Sequence, residues 1–83
     1  MYKIEVVPSA QKDLDGLGKK FFEQIKDKMN PLSQTPRPSQ SLKLTTEEGY
    51  RIRSGDYRIL YRIDDASRIV YIYRIKHRKE SYR

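Results

Sequence analysis

The stretch YRIRSGDYRILYRI, residues 50–63, decides the fold because its arginines alternate with aromatic and β-branched residues. Successive side chains of a β-strand point to opposite faces of the sheet. Arg51 and Arg53 therefore fall on one face of a first strand, with Tyr50 and Ile52 on the other. This alternation predicts a β-strand with one apolar and one cationic face.

A second strand repeats the pattern after Ser54-Gly55-Asp56, which has the composition of a tight turn. Its faces are Tyr57, Ile59, Tyr61 and Ile63 on one side and Arg58, Leu60 and Arg62 on the other. Guanidinium groups on adjacent strands repel each other unless an anion lies between them, and they can clamp one phosphate through paired hydrogen bonds. The hairpin thus predicts a phosphate-binding face. The alternative is a solvated face on which long cationic side chains lie over apolar neighbours.

The composition predicts one small basic domain that spans residues 1–83. Eighteen Lys and Arg against eleven Asp and Glu give a formal charge of +7, which favours anionic partners. Seven tyrosines offer flat surfaces on which unpaired bases could stack. Single-stranded RNA therefore suits this chain better than a duplex does.

Cysteine is absent, and the amino-terminal MYKIEVVPSA lacks the charged and apolar regions of a signal peptide. No segment approaches the roughly 20 apolar residues that span a membrane. We therefore expect a cytoplasmic location and no membrane partner. With one histidine and no paired ligand spacing, we expect no metal and no cofactor.

A strand and two helices come first in the chain. Tyr2–Val7 alternates as a strand that ends at Pro8, and a short helix should run from Ser9 or Ala10 to about Leu17, with Ser9 as its N-cap and Gly18 as its end. A second helix begins near Lys19. The apolar side chains of its core face are Phe22, Ile25, Met29 and Leu32.

The remaining segments complete the sheet. Three prolines in Asn30–Gln40 exclude a helix past Pro31 and predict an irregular loop, and Leu42–Leu44 can add a short strand. Arg68–Lys76 predicts the last strand, but its alternation leaves two possible inner faces. These faces are Ile69, Tyr71, Tyr73 and Ile75, or Val70, Ile72, Arg74 and Lys76. The second set aligns its cations with the arginine face but exposes its two apolar members.

These elements follow the order β-α-α-β-β-β, which predicts an α+β fold. We expect an antiparallel sheet with a helical hairpin packed on one face and an open basic face on the other.

A second group of candidate functional residues follows the last strand: His77, Arg78, Lys79 and Tyr82. His77 is the one side chain of the sequence that normally titrates near neutrality, which makes it the candidate proton carrier. The alternative is an ordinary polar surface residue. The cations expected to bind RNA around the site are Lys43, Arg62, Arg74, Lys76 and Lys79.

The run YRIRSGDYRILYRID at residues 50–64, followed by I-x-H-R-x-x-x-Y at residues 75–82, resembles the RelE family of bacterial toxins within the RelE/ParE superfamily. The resemblance covers essentially the whole chain. It implies a type II toxin–antitoxin toxin that cleaves mRNA in the ribosomal A site through attack of a 2′-hydroxyl on the adjacent phosphodiester. It also implies a cognate antitoxin, and a toxin–antitoxin complex that could bind operator DNA.

The resemblance implies a role for each matching residue. Arg51 and Arg53 would contact the phosphate and activate the nucleophile, and Arg58 would stabilise the phosphorane. Arg78 would be the general acid, and Tyr82 would orient or stack on the mRNA. Some relatives carry a lysine where this chain has Arg53, which cannot act as a base near neutral pH. That difference assigns the base role to His77.

Two other functions stay open from the sequence. The same fold serves ParE-like inhibitors of DNA gyrase that have no nuclease activity, and a fold does not fix a function. The chain could also be an inactive module that only binds an antitoxin.

Overall fold

The computed structural model describes residues 1–45 and 48–79. Its elements are β1 (Lys3–Val6), α1 (Pro8–Asp15), α2 (Lys19–Met29), a 3₁₀ turn (Asn30–Ser33), β2 (Leu42–Lys43), β3 (Tyr50–Ser54), β4 (Tyr57–Asp64) and β5 (Ile69–His77). The strands form one sheet in the order β1-β5-β4-β3-β2, so β4 of the predicted hairpin lies at its centre. The predicted α+β fold is confirmed.

The hairpin has the faces that its alternation predicted. Ile52 lies opposite Ile59, both buried, and Arg53 lies opposite Arg58 on the other face. The connection between the strands has Gly55 at φ 59°, where a two-residue hairpin turn needs a positive φ. The turn chemistry and the alternation therefore agree on the same register.

The sheet is mixed, which corrects the expectation of a wholly antiparallel one. β1 pairs in parallel with β5, and Ile4 lies opposite Val70. The other three pairs, β2–β3, β3–β4 and β4–β5, are antiparallel. Alternation along β1 shows which of its side chains are apolar, but it carries no information about strand direction or neighbour. Those depend on how the chain returns from the two helices.

A β-bulge in β5 explains why neither of the two inner faces considered for this strand contains all of its buried residues. Leu60 lies opposite Arg74 while Tyr61 lies opposite Ile72, so Tyr73 and Arg74 together occupy one position of the ladder. The phase of the strand changes there. The side chains on the core face are Val70 and Ile72 before the bulge and Ile75 and His77 after it. The bulge buries the apolar residues and still leaves Lys76 on the arginine face.

Both helices pack on the face of the sheet that carries Ile52 and Ile59, as predicted. The buried side chains that the helices and the 3₁₀ turn contribute to this core are Ala10, Leu14, Ile25, Met29 and Leu32. The opposite face has no helix over it among the described residues. None of the described helices is long and apolar enough to cross a membrane.

The helix ends differ from the prediction in three places. α1 begins at Pro8, whose missing N–H costs nothing in the first turn of a helix, and Gly16 is its C-cap. The Ser9 hydroxyl makes no cap and donates to the Tyr73 carbonyl 2.7 Å away. A 3₁₀ turn follows α2 and contains Pro31, because a proline at the start of a helical turn removes no needed donor.

Candidate functional site

A shallow cleft of about 210 Å³ opens on the helix-free face, at the end of the sheet where the β3–β4 turn lies. The residues that line it are Arg53, Gly55, Asp56, Tyr57, Arg58 and Arg78. Three guanidinium groups therefore surround one small cavity. The cleft unites the end of β3, the start of β4 and the first residue beyond β5.

Three cations form a row across the sheet beside this cleft. Arg53 lies directly opposite Arg58, and Arg58 lies directly opposite Lys76. Side chains in such pairs start from Cβ atoms about 5 Å apart, and like charges at that spacing destabilise the sheet. An anion between them would relieve this repulsion. The row thus has the spacing and charge for one phosphate group.

Arg78 reaches the cleft because the β3–β4 turn holds it. Its backbone N–H donates to the Asp56 carbonyl at 2.7 Å, which continues the β4–β5 ladder one step past His77. Its guanidinium Nη1 lies 3.8 Å from Oδ1 of the Asp56 carboxylate. Both side chains are about two-thirds exposed, so this ion pair is weak and accessible to a ligand.

A second row lies one step further along the sheet, with Arg51 opposite Leu60 and Leu60 opposite Arg74. Leu60 is buried although none of the described helices covers this face, and the aliphatic stems of its two neighbours can shield it. The Arg74 guanidinium donates through Nε to Asp13 of α1 at 3.0 Å. Arg51 is thus the arginine of the next row along the sheet, and Arg74 bonds to α1 at the edge of β5.

His77 lies on the other side of the sheet from the cationic row. Its ring meets the Tyr57 ring edge-on with centroids 5.1 Å apart, and the Tyr57 ring contacts Phe21 of α2 at 5.5 Å. Its Nδ1 accepts the Lys79 backbone N–H at 3.2 Å. The structure therefore does not bring His77 together with Arg53 and Arg58, although it is adjacent in sequence to Lys76 and Arg78.

The structure also disperses the other cations that were predicted to bind RNA. Lys43 lies opposite Tyr50, on the face that carries the core, while Leu42 of the same strand lies on the arginine face. Arg62 shares the face of Arg58, but its guanidinium lies over the Tyr71 ring at 5.5 Å in a separate depression. Lys79 is exposed beyond β5. Tyr82 lies outside the described residues.

Sequence reasoning missed Asp56, which it treated only as part of a turn. Among the residues that the structure describes, Asp56 is the one carboxylate that lines the cleft. The sequence did contain a sign of its role, because Asp56 lies between Arg53 and Arg58 in a segment rich in arginine.

The cleft has the chemistry of a site for a phosphodiester. Guanidinium donors from three segments converge on one cavity, so they can neutralise charge on a phosphate from several directions. Such preorganised donors stabilise the negative charge that grows on phosphorus during an in-line displacement. The described part of the cleft offers cationic stabilisation but no histidine.

Known proteins match the chain over nearly its whole length. The family model described as the ParE toxin of the type II toxin–antitoxin system parDE matches residues 4–82. Toxin RelG of Mycobacterium tuberculosis is 32% identical over 84 residues, which cover 99% of this chain and 97% of RelG.

Solved structures match the fold equally well. A toxin–antitoxin complex RelBE2 from Mycobacterium tuberculosis contains a chain that superposes with a TM-score of 0.81 at 32% identity, covering 93% of this chain and 98% of that one. The intact RelBE toxin–antitoxin complex of E. coli gives a TM-score of 0.81 at 25% identity, with 93% and 96% covered.

Proposed function

This chain belongs to the RelE/ParE superfamily of toxins of type II toxin–antitoxin systems, and we propose that it is a ribosome-dependent endoribonuclease that cleaves mRNA in the A site. The observation that supports this activity most is the convergence of Arg53, Arg58 and Arg78 on one cleft of the helix-free face. A solvated basic face needs no particular placement of its cations, whereas here three guanidinium groups line one cavity.

In the proposed reaction, the 2′-hydroxyl oxygen of the A-site nucleotide attacks its own 3′-phosphorus, and the bond from phosphorus to the 5′-oxygen breaks. The products are a 2′,3′-cyclic phosphate and a 5′-hydroxyl end. Arg53 and Arg58 hold the phosphate and stabilise the phosphorane, and Arg51 adds positive charge from the next row. Arg78, which lines the same cleft, is proposed to protonate the leaving 5′-oxygen. Tyr82 is proposed to stack on the mRNA.

The sequence predicts that His77 removes the proton from the 2′-hydroxyl. Its ring packs against Tyr57 on the helix side of the sheet, so a direct contact with a phosphate held by Arg53 and Arg58 would require it to move around the strand end. We therefore propose that the 2′-hydroxyl proton passes to a solvent water and that Arg78 regains from solvent the proton it gives to the 5′-oxygen. Electrostatic stabilisation by the arginines then supplies most of the rate, and His77 acts mainly by supporting Tyr57.

A cell-free translation reaction with primer extension on the mRNA tests the activity. We expect cleavage sites that follow the reading frame and disappear when ribosomes are omitted. Wild-type protein that produced no such sites, but inhibited DNA supercoiling by gyrase, would overturn the proposal.

Gyrase inhibition is the second candidate function, because the family model that matches residues 4–82 is that of the ParE toxins. The two functions differ in what the cleft must do. An inhibitor of gyrase needs a protein-binding surface, so loss of Arg58 would leave its effect on supercoiling largely intact.

We also propose a cognate antitoxin as a partner, since the matching crystal structures from Mycobacterium tuberculosis and E. coli are toxin–antitoxin complexes. A chain with a formal charge of +7 favours an acidic or amphipathic antitoxin. Two exposed apolar side chains, Phe21 and Leu42, are available for such a contact.

A further inference from the structure

An acidic side chain inside the cationic cleft needs an explanation. A carboxylate beside a bound phosphate repels it, so Asp56 by its charge alone would weaken the binding of RNA. A tight turn at this point could be made with a neutral residue such as asparagine, which has the same shape and the same turn preference.

The contacts of Asp56 supply the explanation. Its main-chain carbonyl and its carboxylate both face Arg78, which lies just beyond the last described strand. The carbonyl fixes the backbone of Arg78, and the carboxylate draws its long side chain towards the cleft that Arg53 and Arg58 line. These two contacts tie the chain after β5 to the β3–β4 turn.

We propose that Asp56 is a positioning residue that holds the Arg78 guanidinium over the cleft, ready for the phosphodiester that the proposed nuclease cleaves. This inference rests on the proposed function. Asp56 does not touch the reacting atoms, and it acts through Arg78. Because the ion pair is exposed and 3.8 Å long, it orients the guanidinium without locking it, and the substrate phosphate can take over as its partner.

The proposal predicts effects of opposite sign on binding and on cleavage when Asp56 loses its charge. In Asp56→Asn the backbone hydrogen bond to Arg78 stays, while the ion pair and the repulsion of the phosphate disappear. Binding can be measured without cleavage on ribosomes programmed with an mRNA that has a 2′-deoxynucleotide at the scissile position. We expect Asp56→Asn to bind these ribosomes more tightly than wild type does.

Single-turnover cleavage of the all-ribose mRNA at saturating protein measures the second effect. We expect the rate of Asp56→Asn to fall about threefold to fivefold, the range that loss of an exposed ion pair allows. Asp56→Glu, which keeps the charge, should restore most of the rate. Asp15→Asn on α1 removes an equal charge outside the cleft and should leave both quantities at the wild-type value.

The double variant separates positioning from a general effect on the fold. In an Arg78→Ala background, Asp56→Asn should change the residual cleavage rate no further, although it should still tighten binding. A cleavage rate that rose together with binding in Asp56→Asn would overturn the proposal and leave Asp56 as a repulsive charge. An equal loss of rate with and without Arg78 would also overturn it. Absence of cleavage by wild-type protein would instead refute the proposed nuclease itself.

Discussion

At the scale of single residues, two arginines of one strand allow a matched test of the site. Arg58 and Arg62 lie on the same face of β4, but only Arg58 lines the cleft. Four residues of a strand span roughly 13 Å, which exceeds the screening length of about 8 Å at physiological salt. The two side chains therefore differ in their distance from the cleft, and Arg62 in addition lies over the Tyr71 ring.

We expect Arg58→Ala to lower the rate of mRNA cleavage about 100-fold to 1000-fold, because it removes a donor aimed at the charge that develops on phosphorus. Arg62→Ala should change the rate less than about threefold, since its charge is screened at that distance. Single-turnover cleavage on programmed ribosomes measures both, and thermal unfolding checks that both variants are folded. Equal losses in the two variants would show that the cleft is not the reaction site.

His77 gives a second test at this scale. A general base that is removed costs about 10² to 10⁴ in rate. Because the His77 ring packs on Tyr57 on the helix side, we expect His77→Gln to lower the rate less than about tenfold. The single-turnover rate across neutral pH measures the effect. A loss of 100-fold or more would return the base role to His77.

At the scale of elements, α1 protects the bulged edge of β5. The Asp13 carboxylate accepts the Ile75 backbone N–H at 2.8 Å and the Arg74 guanidinium at 3.0 Å, while Ser9 donates to Tyr73. β1 pairs with β5 only up to Ile72, so these side chains take over where the ladder with β1 ends. A helix thereby satisfies the exposed backbone of the strand that leads directly to Arg78 in the cleft.

We expect Asp13→Ala to reduce the free energy of unfolding by about 1–3 kcal/mol, because it leaves a partly buried N–H and a guanidinium without their acceptor. Asp15→Ala on the same helix removes an exposed carboxylate bonded to Gln11 and should cost less than about 0.5 kcal/mol. Urea unfolding followed by circular dichroism measures both. If Asp13→Ala matched Asp15→Ala, the contacts at the bulge would contribute nothing to stability.

At the scale of the whole molecule, one ion pair joins segments that are distant in sequence. The Arg37 guanidinium binds the Asp65 carboxylate at 2.8 Å and donates through Nε to the Tyr50 hydroxyl, and the Tyr2 hydroxyl donates to Asp65 at 2.6 Å. The hydrogen bond from Arg37, followed by that from Tyr2, holds the pKa of Asp65 below its ordinary value of 3.8. The same contact raises the pKa of Arg37.

The lowered pKa predicts a loss of stability in acid. A carboxyl group whose pKa is lower in the folded state than in the unfolded state stabilises the fold above the unfolded pKa, and this contribution disappears as the pH falls through the folded pKa. We expect the urea midpoint of wild type to decline below about pH 4 and that of Asp65→Asn to decline less. Arg37→Gln should remove much of the same acid-dependent loss. An identical acid profile in wild type and Asp65→Asn would show that Asp65 contributes nothing to it.

The sequence patterns of this chain predicted the features that depend on one element, and they missed the features that depend on two. Alternation in residues 50–63 predicted both faces of the hairpin, and helical spacing predicted that Ile25, Met29 and Leu32 point to the core. Both patterns are local, because they follow from the geometry of one element. The phase change at Tyr73 was not readable, since a bulge is visible only when the partner strand is known.

The sequence by itself determined the α+β class, the cationic hairpin, the core face of α2 and the membership of the RelE/ParE superfamily. Only the tertiary structure decided that β1 runs parallel to β5, that Lys76 rather than His77 joins the row of Arg53 and Arg58, and that Asp56 faces Arg78. Periodicity reports on one segment at a time. Contacts between segments determine strand direction and register, and they bring the β3–β4 turn next to the residue after β5. These contacts are selected by packing.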